Sequence, residues 1–169
     1  MNSTKATTSV WTETEWENFR NVVAKEHPEY LVACDLMYHC GLRLGEVLAL
    51  NKSDICFANN TIVIDKSLQK VNETTYLVDG YKLVFNGMKP VKYHSAPRTV
   101  SMPDDLADVV EGVTAIVDSD DECIFSFPQF RFKQHFFECA KQSGISAEKC
   151  GNVYALRKNF LARNGGEVR

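Results

Sequence analysis

Apolar residues recur at two spacings along this chain, and the change between them separates helical from extended stretches. Thr12 with Glu15 three residues on forms a capping box. It opens a helix whose apolar face carries Trp16, Phe19, Val22 and Val23. His27-Pro28 ends that helix, because the residue before a proline is pushed out of helical geometry, and His27 is expected in a surface turn. A second helix is expected over Tyr30 to Tyr38. A third follows Gly41, with Leu44, Val47, Leu48 and Leu50 on its core side.

Beyond Asn59-Asn60, which reads as a turn, the pattern becomes strand-like. Thr61 to Asp65 is rich in β-branched residues, and Thr74 to Val78 and Tyr81 to Phe85 read as short strands around the hairpin dipeptide Asp79-Gly80. Asn86-Gly87 reads as another turn, and Arg98 to Met102 as a last strand stopped by Pro103. Helical spacing then returns over Asp104 to Val117, with two aspartates at its positive end. It continues over Gln129 to Lys141, where Phe130, Phe132, Phe136 and Phe137 are expected in the core. A final helix is expected to begin near Asn152 or Val153. The fold class is therefore α+β, mainly helical, with a small antiparallel β-sheet. Residues 1–10 are read as a flexible lead and 11–169 as one domain.

Composition narrows the class. With 44% hydrophobic and 24% charged residues the chain reads as an ordinary globular protein. A net charge of −3 argues against a simple nonspecific nucleic-acid binder. The charge is segregated, however: Asp104 to Glu122 holds acids and no base, whereas the stretches Lys66–Arg98 and Gln129–Arg169 are predominantly basic. One face could thus be basic. The six cysteines form no Cys-x-x-Cys pair, and no histidines sit at zinc-ligand spacing, so free thiols in a reducing cytoplasm are expected. No stretch is apolar over the length a bilayer requires.

The candidate chemistry begins at Cys40-Gly41-Leu42-Arg43-Leu44-Gly45-Glu46-Val47-Leu48-Ala49-Leu50. Arg43 and Glu46 stand three apart, within reach on a helix, and an exposed pair of that kind is worth under about 1 kcal/mol. Together with Asn51-Lys52-Ser53-Asp54-Ile55 this block resembles the first catalytic box of the tyrosine recombinases, the phage-integrase family, with Cys40 where that family usually has threonine. Val153-Tyr154-Ala155-Leu156-Arg157-Lys158-Asn159-Phe160 resembles the second box, His-x-x-Arg-His-Thr-x-Ala, with Tyr154 in the place of the histidine and Lys158 after the arginine. Between them, Lys92 through Pro103 resembles Thr-Lys-Thr…Ser-x-Arg-Thr-Val-x-Leu-Pro, which makes Lys92 the counterpart of the catalytic lysine and Lys89 the runner-up.

The resemblance runs from about Trp11 to Phe160. It implies a phosphate pocket of Arg43, Lys92 and Arg157, with Glu46 buttressing Arg43, Tyr154 and Lys158 assisting, and Lys92 protonating the leaving oxygen. Arginine suits such work because its planar fork pairs bidentately with phosphate and stays protonated. Tyr154 could donate a hydrogen bond to phosphate, but a phenol, with a reference pKa near 10, is a poor proton shuttle at neutral pH. The family implies double-stranded DNA as partner, self-association on DNA in the intact protein, and neither metal nor cofactor. Its nucleophilic tyrosine falls beyond Arg169, so the catalytic domain is expected to be incomplete at its C-terminus and inactive in recombination alone. The alternative is a non-catalytic DNA- or partner-binding module derived from an integrase.

Overall fold

The computed structural model describes residues 10–166, with the backbone alone described at 71–78 and 82–86; residues 1–9 of the expected flexible lead lie outside the described residues. Helix α1 (Glu13–Glu26) opens on the anticipated capping box, with Thr12 accepting from the Glu15 amide and Glu15 from the Thr12 amide. It ends at His27, and a single 3-10 turn (Pro28–Tyr30) leads into α2 (Leu31–Cys40). Gly41 then takes a left-handed conformation (φ 70°), which breaks the chain between α2 and the short α3 (Leu44–Leu48).

The strands form two antiparallel sheets where one was expected. β1 (Ile55–Cys56), β2 (Thr61–Ile64) and β5 (Arg98–Ser101) make the first, in the order β1-β2-β5. β3 (Lys66–Val78) and β4 (Tyr81–Lys92) make a long hairpin around Asp79-Gly80. Asn86-Gly87, expected to turn the chain, instead lies inside β4. Lys66 to Lys70 pair with Lys92 to Met88, so the ladder resumes beyond this point, and a register shift between Val71 and Thr74 absorbs the irregularity.

The remaining helices are α4 (Asp104–Thr114), α5 (Gln129–Gln142), α6 (Ala147–Cys150) and α7 (Ala155–Arg163). The last begins later than expected because the Asn152 side chain accepts the Tyr154 amide (2.9 Å), making a local turn that competes with helix. In α5, Phe132, Phe136, Cys139 and Ala140 share one buried face, leaving Phe130 and Phe137 exposed; the expectation that all four phenylalanines are core holds for two.

The core lies among α1, α2, α5 and α7. Phe19, Leu36, Leu42, Val47, Leu156 and Ile62 are fully buried within it. Trp16 stacks on Tyr38 with ring centroids 3.8 Å apart. Asn159 is buried in α7, where its side chain accepts the Trp11 amide (3.0 Å) and donates to the Ala155 carbonyl (2.9 Å). That pair ties the start of the described chain to its last helix. All six cysteines are free thiols. Among the described residues no helix is long and apolar enough to cross a membrane.

Candidate nucleic-acid interface

Two close backbone approaches position the site. The Cβ of any residue replacing Gly41 would sit 2.2 Å from a ring carbon of Phe160, and one replacing Gly45 would sit 2.4 Å from the Ser67 hydroxyl. Glycine at these points lets α7 dock on the α2–α3 junction and lets β3 cross α3 closely. The helix-capping role in α3 falls to Arg43, whose amide donates to the Glu46 carboxylate (2.8 Å).

Glu46 is the hub. Its side chain is fully buried, yet it accepts from the Arg43 guanidinium (3.1 Å), the Tyr93 hydroxyl (2.8 Å) and both terminal nitrogens of Arg98 (2.8 and 2.7 Å). Burial alone would raise its pKa. The bidentate bond from Arg98 and the amide of Arg43, followed by Tyr93, outweigh that and hold it at about 2. It is therefore ionised at neutral pH. One carboxylate faces two guanidiniums, so the cluster carries a net positive charge.

That charge borders an open cleft of about 750 Å³, lined by Arg43, Arg98, Tyr93, Ser67 and Ser95 among others. Arg43 keeps 51% of its side-chain surface exposed, whereas Arg98 is mostly covered. The cleft therefore offers one half-exposed guanidinium, one largely covered guanidinium and several hydroxyls.

The other residues singled out from the sequence are placed differently. Arg157 is 2% exposed and donates to the Gly41 carbonyl, so it backs the turn that carries Arg43 from the core side and is absent from the cleft lining. Tyr154 precedes α7, with its ring 5.9 Å from the Arg157 guanidinium carbon, and Lys158 is exposed on the same helix. Lys92 ends β4 with 80% of its side chain exposed and its ammonium 3.5 Å from Asp65. It immediately precedes Tyr93, which reaches Glu46; Lys89 is exposed earlier in β4, opposite Gln69. The structure thus joins Arg43 to Glu46 directly and to Arg157 through the Gly41 turn. Lys92 is set on the neighbouring strand.

Sequence reading missed Arg98 and Tyr93 as site residues. Arg98 opens the Arg-Thr-Val-x-Met-Pro segment that set the register for Lys92, and its own charge was the available signal. Among the described residues, buried Nε atoms of Arg98 and Arg157 have no hydrogen-bond partner.

No protein-family model matches this sequence, and no curated protein matches it. Solved structures do. The chain superposes on the Tn1549 transposon integrase bound to transposon right-end DNA with a TM-score of 0.69 at 18% identity, covering 99% of this chain and 57% of that one. The same integrase with a circular-intermediate DNA gives 0.67 at 17% identity, again covering 99% and 57%. The XerA recombinase gives 0.65 at 14% identity, covering 99% and 54%. The fold is that of an integrase catalytic domain. These structural neighbours are tyrosine recombinases, and the chain spans little more than half the length of each of these solved chains.

Proposed function

We propose that this chain is the DNA-binding, phosphate-activating domain of a tyrosine recombinase, receiving a DNA phosphodiester at the mouth of the Arg43–Arg98 cleft. The observation that carries this reading is the pairing of a half-exposed Arg43 with a buried carboxylate that also fixes Arg98. Such preorganised donors can each contribute about 3–4 kcal/mol to a transition state because they need no reorganisation as charge develops. The partnerless Nε of Arg98, which lines the cleft, adds a donor that an anion could satisfy. In this reading Arg43 binds the nonbridging oxygens, Glu46 holds it, and Arg157 fixes the turn beneath it. Lys92, on the adjoining strand, supplies the proton to the leaving oxygen after leaving Asp65. Tyr154 and Lys158 assist at the start of α7. The attacking tyrosine comes from outside these 169 residues. Several copies associate on the DNA.

DNA binding is tested by fluorescence anisotropy of a mixed-sequence duplex across a salt series. Arg43→Ala should weaken binding and lower the log–log salt slope by about 0.9, the value for one phosphate contact. Undetectable binding, or an unchanged slope in the variant, overturns the proposal. Phosphate activation is tested by joining the chain to a tyrosine-bearing C-terminal segment of a recombinase and presenting a nicked suicide duplex. A covalent adduct lost in Lys92→Ala supports it. DNA binding without adduct supports instead the non-catalytic module, a reading favoured by Tyr154 standing where a proton-shuttling histidine is expected.

A further inference from the structure

The long β3–β4 hairpin carries different chemistry on its two faces. Residues directly opposite one another in an antiparallel ladder share a face, and successive residues alternate between faces. Ser67 and Gln69 of β3 line the Arg43–Arg98 cleft, as does Tyr93 just beyond β4. Leu68 of β3 and its ladder partner Pro90 line a second, apolar cleft of about 630 Å³, together with Met88 and Phe130. The two clefts therefore lie on opposite faces of one ribbon, as the alternation requires.

The same register sorts the lysines. Lys89 pairs with Gln69, so it belongs to the face of Ser67, Gln69 and Tyr93. Lys70 pairs with Met88, and Lys66 with Lys92, which puts those three lysines on the face of the apolar cleft. On that side the Lys66 ammonium is bonded to Asp54, and Lys92 reaches the Arg43 cleft only by leaving Asp65. Lys89 is exposed, and among the described side chains it is the hairpin lysine that shares the Arg43 face.

The geometry points to Lys89 as a second phosphate-binding residue, on a hairpin face that extends the Arg43 cleft along the DNA backbone. This rests on the reading of the cleft as a DNA site. From Lys89 to Tyr93, whose hydroxyl bonds Glu46, the chain covers about 13 Å at ~3.3 Å per residue. Each DNA strand advances about 3.4 Å per nucleotide along the helix axis. The phosphate at Lys89 is thus within about four nucleotides of the one at Arg43. Lysine suits a holding contact of this kind, because a point charge on a flexible stem does not demand the fixed fork geometry of a guanidinium. Ser67 and Gln69 offer neutral hydrogen-bond donors along the same path.

The test uses the 169-residue chain and a mixed-sequence duplex in a salt series. Lys89→Gln, at an exposed position, should lower the log–log salt slope by about 0.9 and weaken binding roughly eightfold at 0.1 M salt, as one lost phosphate contact does. Lys89→Arg should restore both. Lys70→Gln removes the same charge from the other face of the same hairpin and should keep the parent's slope. If Arg43→Ala lowers the slope but Lys89→Gln does not, or Lys70→Gln lowers it equally, this inference alone is overturned. A parent that does not bind DNA, or a slope indifferent to Arg43→Ala, overturns the reading of the cleft together with it.

Discussion

Replacing Glu46 by glutamine offers the sharpest measure of the hub. The change keeps shape and removes charge, leaving the largely covered Arg98 without its carboxylate. Arg43 is half exposed, so its bond to Glu46 contributes little, under about 1 kcal/mol. Arg98 and the two neutral donors dominate. Breaking a buried charged pair by removing one partner costs about 3–5 kcal/mol. An independent route agrees: lowering the Glu46 pKa from 4.5 to about 2 corresponds to about 3 kcal/mol at 1.36 kcal/mol per unit. Because the folded-state value is depressed, this stability is present in full above pH 4.5 and drains away as pH falls towards 2. Urea unfolding at pH 7 should therefore find Glu46→Gln less stable by about 3–5 kcal/mol, and the gap should narrow by about 1.4 kcal/mol at pH 3.5. A cost below about 1 kcal/mol at pH 7, or one unchanged between the two pH values, would refute the hub.

Other outcomes follow from the same structure. Gly41→Ala forces a side chain into a left-handed conformation and against Phe160, and should destabilise by roughly 2–4 kcal/mol in thermal or urea melts. Thr12→Ala removes one half of the α1 capping box and should cost about 1 kcal/mol by urea denaturation. Tyr93 is desolvated and bonded to the Glu46 carboxylate, both of which raise its pKa. Ultraviolet titration should show late-ionising tyrosines, and Tyr93→Phe should remove one of them.

Local chemistry made much of this fold legible. The capping box at Thr12, the proline stop after His27 and the helical spacing of Leu44, Val47 and Leu48 depend on neighbours within a turn or two, and the structure has them where the pattern put them. Asn86-Gly87 shows where local signals end. A turn dipeptide was overridden by a ladder that gains pairs on its far side. Phe130 and Phe137 show the same limit for burial, since helical spacing names a set of faces without saying which one meets the core.

The charged residues divide in the same way. Sequence by itself determined the Arg43–Glu46 pair, because a cap and the third residue of the helix it opens come together without help from the rest of the chain. Only the tertiary structure decided that Glu46 would be buried, that Arg98 from β5 and Tyr93 beyond β4 would converge on it, and that Arg157 would reach the Gly41 carbonyl from α7. It likewise decided that His27 and His135 would stack. A carboxylate's neighbours across such separations are fixed by how sheets and helices pack, and no residue spacing encodes that packing.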